Sequence, residues 1–132
     1  MGFEKVRRPI MGNVDDRPTE IKPGLDYSTA ETDTGLKWID GAAVYQKVLE
    51  FPAGPNNSTV NTAHGITGLA TVIDVQGFMD NGTFQRNINN VEATAVVQNH
   101  YAVDDTNVIM ISGVGGDWSG YAGFIVLRYT KA

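Results

Sequence analysis

TNVIMISGVGGDWSGYAGFIVLRYT, residues 106–130, contains two apolar segments joined by a glycine-rich stretch. We predict strands at 107–112 and 122–130. Neighbouring side chains of a strand point to opposite faces, so both strands carry apolar residues on both faces. The second strand has Phe124 and Val126 on one face, and Ile125, Leu127 and Tyr129 on the other. A strand in a two-layer sandwich needs only one apolar face. The second face therefore predicts a further cover, and in a chain of 132 residues the simplest cover is another copy.

The sequence from residue 36 onwards predicts further strands separated by turns. Asp40-Gly41 suits a two-residue turn between strands at 36–39 and 42–51, because such turns need positive φ. Further strands are predicted at 58–62, 70–79, 83–88 and 92–103. About eight strands, turns every 8–12 residues and no convincing helix are typical of one all-β class. We therefore predict an antiparallel β-sandwich or jelly roll.

Residues 1–34 differ in composition and are predicted to be an extended N-terminal arm ahead of a knob domain at 35–132. Three prolines interrupt regular structure, charges of both signs are mixed, and the apolar residues follow no period. Such a segment cannot bury enough apolar surface to fold alone. It is either a free tail or an arm that becomes ordered on a partner surface. In the second case we expect the anchoring residues to be Phe3, Val6, Arg7, Arg8, Ile10 and Met11.

Composition excludes several partner classes. The formal charge is −5 and the only Lys/Arg run is Arg7-Arg8, which argues against nucleic acid as a partner. The chain has no cysteine, so it has no disulfide framework and no thiolate metal site. The N-terminus lacks the apolar core of a signal peptide, and no apolar run is long enough to span a membrane. We therefore expect synthesis and folding in the cytosol and no membrane partner.

The sequence contains few candidate catalytic or metal-binding residues. His64 and His100 are the only histidines, and together with Asp104 or Asp105 they give a poor zinc pattern. The alternative is that His64 caps the turn that follows it. No Gly-x-Ser-x-Gly frame supplies a nucleophile, and any acidic protein offers carboxylate pairs. We therefore predict no enzyme, no metal site and no cofactor.

The loop at 113–121 allows two interpretations. Its glycines lack the Lys-Ser/Thr of a phosphate-binding loop. Exposed aromatic residues on loops often contact sugars or proteins, which makes Asp117, Trp118 and Tyr121 a candidate ligand-binding group. Alternatively, Trp118 and Tyr121 close one end of the sandwich, and these residues by themselves leave both interpretations open.

Several short motifs occur in a recognisable order. Residues 27–48 read YSTAETDTGLKWIDGAAVYQKV, and they are followed by AHGI at 63–66, WSGY at 118–121 and YTK at 129–131. In this order and spacing they resemble a module of tailed-bacteriophage virion proteins, over roughly residues 25–132. Ala42 departs from the module, which has Lys there, and the module usually ends a longer fibre or baseplate protein. The resemblance implies a compact β-sandwich knob, often trimeric, displayed on the virion.

The resemblance leads us to expect a non-enzymatic virion protein, made in the host cytoplasm and assembled into a homotrimer. Its arm would attach to the major capsid protein or another virion protein, as in a capsid decoration or head-fibre protein. The expected trimer interface comprises Val108, Met110, Phe124 and Val126. The alternative is a tail-fibre or baseplate tip protein that binds host surface glycans through the 117–121 loop.

Overall fold

The computed structural model describes residues 26–90, 98–113 and 115–132. These residues form eight strands and no helix. The strands are β1 (Thr32–Lys37), β2 (Ala43–Phe51), β3 (Thr59–Ala63), β4 (Leu69–Asp80), β5 (Gln85–Asn87), β6 (Asn99–Val103), β7 (Asn107–Ser112) and β8 (Ala122–Lys131). They form a five-stranded sheet of order β1-β2-β8-β4-β5 and a three-stranded sheet of order β3-β7-β6. Every described strand pair is antiparallel, so the predicted all-β antiparallel fold is confirmed.

A hairpin joins β1 to β2 as predicted, but its loop spans residues 38–42, and the central residues of the turn are Ile39 and Asp40 rather than Asp40 and Gly41. The Trp38 N–H donates to the Ala42 carbonyl and the Gly41 N–H donates to the Trp38 carbonyl, both at 2.8 Å. Gly41 has a φ of 87°, the left-handed conformation that glycine adopts without steric cost. The turn chemistry of the sequence therefore sets where β1 ends and β2 begins.

The core lies between the two sheets, and one face of β8 belongs to it, as predicted; Val126, on the other face, is also buried, at 4% exposure. Ile125, Leu127 and Tyr129 point inward and are almost completely buried. They pack in one cluster with residues of both sheets and of the loops: Leu49, Phe51, Ile66, Met79, Ile88, Val108, Met110 and Trp118. Phe124 belongs to the opposite face and stays exposed.

Two of the four expected interface residues lie inside the single chain. Val108 and Met110 have no exposed surface, because the alternation of β7 turns both side chains into the core cluster. Their assignment to a subunit interface is therefore corrected: they have no surface left for a second copy. Phe124 and Val126 lie on the outer face of the five-stranded sheet, where Phe124 is 42% exposed but Val126 only 4%, so of the four residues only Phe124 offers open surface to a second copy.

The predicted boundary between arm and knob falls inside β1. The Thr34 hydroxyl donates to the Val44 carbonyl at 2.7 Å, and the Val48 N–H donates to the Ser28 carbonyl at 2.9 Å. Residues 28–34 are therefore bonded to β2. The six expected anchoring residues, from Phe3 to Met11, lie outside the described residues.

Candidate functional site

The 117–121 loop closes one end of the sandwich. Trp118 is 4% exposed, its indole Nε1–H donates to the Gln98 carbonyl at 3.2 Å, and its ring lies 5.1 Å from the Tyr121 ring. Gly54 lies so close that a Cβ there would come 2.8 Å from the Trp118 Cβ. Trp118 therefore offers no ring face to a ligand.

The other two residues of the expected ligand-binding group have local roles. The half-buried Tyr121 accepts a hydrogen bond on its hydroxyl from Arg86 Nε at 3.1 Å. Asp117 is exposed and accepts hydrogen bonds from the hydroxyl and the N–H of Ser119. These two bonds lower the pKa of Asp117. The structure therefore does not bring the three residues together around an open site.

His64 joins two loops and uses both ring nitrogens for this. Its Nδ1 accepts from the Ile66 N–H at 3.0 Å, so its Nε2 carries the proton and donates to the Asp104 carbonyl at 2.9 Å. The ring is buried, and this placement agrees with the turn-capping interpretation. His100 is exposed on β6. Within residues 26–90, 98–113 and 115–132, no group of three or more His, Cys, Asp or Glu residues could hold a metal ion.

Asp104 shapes the turn between β6 and β7. Its carboxylate accepts the N–H groups of Thr106 and Asn107 at 2.8 and 2.7 Å, and these two bonds lower its pKa. The arrangement is a local side-chain turn, in which the carboxylate replaces a backbone acceptor.

A group of three hydrogen-bonded side chains connects Glu31 to β8, the last strand. The Tyr129 hydroxyl donates to Glu31 Oε2 at 2.6 Å and the Lys131 ammonium donates to Glu31 Oε1 at 2.8 Å. Burial and then the Glu31 bond raise the pKa of Tyr129, and the same carboxylate raises the pKa of Lys131. The ammonium also lies 5.3 Å from the centre of the Tyr45 ring. This group stabilises the fold and leaves its carboxylate oxygens occupied.

The outer face of the five-stranded sheet carries an open apolar surface. Register across β2, β8 and β4 places three rows of side chains on it: Gln46–Arg128–Asp74, Val48–Val126–Gln76 and Glu50–Phe124–Phe78. The first row is polar, and Arg128 Nε donates to Gln46 Oε1 at 2.9 Å. The other two rows are mainly apolar, and Phe78 and Phe124 are 45% and 42% exposed.

Tyr27 lies beside these two rows, and its side chain and the two rows together form a groove. Tyr27 is 68% exposed, and the carbonyl of the preceding residue, Asp26, accepts a bond from Gln46 Nε2 at 3.4 Å. The groove has a volume of about 460 Å³ and is lined by Tyr27, Val48, Glu50, Gln76, Phe124 and Val126. A hollow of about 210 Å³ continues it past Phe124 to Phe78. We call this surface the outer-face groove.

Sequence reasoning found part of the outer-face groove. Alternation placed Phe124 and Val126 together on one face of β8. It missed Tyr27, Val48 and Glu50, because pairing β2 beside β8 requires knowledge of the sheet order. Tyr27 begins the motifs that carry the resemblance, but no strand pattern indicated its position beside the sheet, since it precedes the first strand.

No helix among residues 26–90, 98–113 and 115–132 is long and apolar enough to cross a membrane. Comparisons of the chain with protein-family models, with curated proteins and with solved structures found no match.

Proposed function

We propose that the chain is a structural protein of a tailed-bacteriophage particle, and that its copies associate through the outer-face groove. Two observations support the proposal: the order of short motifs along residues 27–131, and the open apolar face. The face carries the argument, because large contiguous apolar patches on soluble proteins mark interaction sites. Tyr27, Phe78 and Phe124 each leave roughly half of their side chain in water.

The free energy gained by burying this patch can be compared with the free-energy cost of association. An aromatic side chain buries about 150–250 Å² when fully covered, so the three half-exposed rings offer roughly 300 Å² together. At about 25 cal/mol per Å² this corresponds to roughly 7 kcal/mol. Association costs about 4–15 kcal/mol in lost freedom. The gain of roughly 7 kcal/mol lies inside this range of costs, so the aromatic patch alone leaves no secure surplus, and further apolar contacts would strengthen a self-association surface.

In this proposal the sandwich is a homotrimeric knob, and residues 1–34 attach it to the major capsid protein or another virion protein. A capsid decoration or head-fibre role agrees best with these features. The glycan-binding alternative rested on the 117–121 loop, and the burial of Trp118 removes its principal stacking surface. We therefore favour the structural role.

Self-association is tested by light scattering on the full chain at micromolar concentration. We expect a mass three times the 14.3 kDa of one copy. Phe124→Ser should lower the mass, whereas Phe84→Ser should leave it unchanged, because Phe84 is exposed at the β4–β5 turn and does not line the groove. Circular dichroism confirms that both variants are folded. A monomeric wild-type chain would contradict the proposal.

The virion role needs a separate experiment with particles made without this chain. Purified full-length protein should bind these particles, and protein lacking residues 1–25 should not. Complete particles that fail to adsorb to cells, together with no binding of the protein to capsids, would favour the tip-protein alternative.

A further inference from the structure

The β1–β2 turn displays a second apolar group at the edge of the five-stranded sheet. Ile39 is 91% exposed and Leu36 is 54% exposed. The turn is nevertheless well fixed: besides its two backbone bonds, Asp40 Oδ1 accepts the Ala42 N–H at 2.9 Å. We call residues 36–41 the hairpin tip. A rigid, convex apolar element loses little conformational freedom on binding, and this favours its use as a contact.

The hairpin tip and the outer-face groove complement each other in shape and charge. The tip is an exposed turn with two charged residues, Lys37 and Asp40; the Asp40 carboxylate accepts the Ala42 N–H, and Lys37 is the charge that suits Glu50 on the lining of the concave groove. Lys37 and Glu50 both belong to exposed parts of the sheet. Opposite charges at the rim of a contact favour correct orientation of the partners.

One chain cannot place its own hairpin tip in its own groove. The tip precedes Ala43, the first residue of β2, and Glu50 lies near the other end of the same strand. Seven residues of extended strand correspond to about 23 Å. The strand is rigid within the sheet, so the tip of one copy can meet only the groove of another copy.

We propose that the hairpin tip of one copy inserts into the outer-face groove of the next, with Ile39 against Phe124 and Lys37 beside Glu50. The inference rests on the proposed self-association and names the two surfaces that it joins. The contact is head-to-tail, with a different patch from each partner, as cyclic assemblies other than dimers require. Ile39 and Leu36 supply apolar area beyond that of the aromatic patch.

Disulfide trapping tests the contact directly, because the chain has no cysteine of its own. We would mix Ile39→Cys protein with differently tagged Gln76→Cys protein under mild oxidation, since Gln76 lines the groove and is exposed. The expected product is a covalent dimer that contains both tags. The matched control replaces Gln76→Cys with Thr83→Cys, at an exposed position in the β4–β5 turn, and should give no such dimer.

The outcomes separate this inference from the proposed function. A dimer of Gln76→Cys with itself would indicate face-to-face packing of two grooves and overturn the tip contact, while self-association would stand. An oligomer by light scattering without any Ile39–Gln76 disulfide would do the same. A monomer by light scattering would overturn the proposed self-association itself.

Charge reversal gives a second readout that does not depend on cysteine chemistry. Lys37→Glu should weaken association by about threefold to tenfold, the range expected for an exposed ion pair turned into a repulsion. Adding Glu50→Lys should restore the wild-type affinity. A double variant that stays as weak as the single one overturns the pairing of these two residues.

Discussion

Glu31 is a single residue that connects the segment ahead of β1 to the end of β8. Burial alone would raise the pKa of Glu31, but hydrogen bonds from Lys131 and Tyr129 outweigh burial and lower it. A carboxylate with a lower pKa in the folded state stabilises the fold above its unfolded pKa, and this contribution is lost as the pH falls through the folded value. Glu31 therefore contributes fully above its model-compound value of 4.5.

We expect Glu31→Gln to reduce the free energy of unfolding at pH 7 by about 1–2 kcal/mol, the scale of hydrogen bonds to a charged group. The loss should shrink below pH of about 4.5, where the wild-type carboxylate also becomes protonated. Urea denaturation between pH 3 and pH 7 measures both effects. Asp105→Asn, at an exposed position between β6 and β7, is the control and should change little. An equal loss for Glu31→Gln at pH 3 and pH 7 would contradict this account.

Predictions for single residues were correct where the property depends only on neighbouring positions in the sequence. The alternation within β8 separated Phe124 from Ile125 correctly, because side-chain direction in a strand depends only on position. The same rule could not say which face of β7 is covered, so Val108 and Met110 were placed outside although they form the core. The bond between Glu31 and Tyr129 spans 98 residues, and no local pattern predicts it.

Strands β4 and β8 approach each other most closely at Gly123. This residue lies opposite Met79, and a Cβ at its position would come 2.8 Å from the Met79 Cα and would also meet the Phe78 carbonyl. Backbone atoms cannot move aside as a side chain can. We expect Gly123→Ala to reduce the free energy of unfolding by about 1–3 kcal/mol, the usual cost of overpacking, in urea denaturation.

Gly120 provides the matched control for Gly123, because a Cβ there would meet nothing within 4 Å. Gly120→Ala should stay within about 0.5 kcal/mol of the wild type, as surface substitutions usually do. Equal effects of the two substitutions would show that the close approach of β4 and β8 does not limit stability. The strand bounds themselves were predicted well for β7, whereas this approach depends on sheet order, which the sequence pattern does not contain.

At the scale of the whole molecule, self-association predicts a melting temperature that depends on protein concentration. Partners that bind only the folded state stabilise it by mass action. A trimer forms from three chains in two association steps, so above the dissociation constant each tenfold rise in concentration adds roughly 0.9 kcal/mol per chain to the free energy of unfolding. For a chain of 132 residues this corresponds to roughly 3 °C. Calorimetry from about 1 to 100 μM should show this rise for the wild type.

Phe124→Ser separates association from the stability of a single copy. Phe124 lies outside the core cluster, so its replacement should leave a folded sandwich whose melting temperature no longer changes with concentration. Phe84→Ser removes an equally exposed ring that does not line the groove and should keep the wild-type dependence. A flat melting temperature in the wild type would mean that single copies tolerate the open groove, and the apolar face would then need a partner other than this chain.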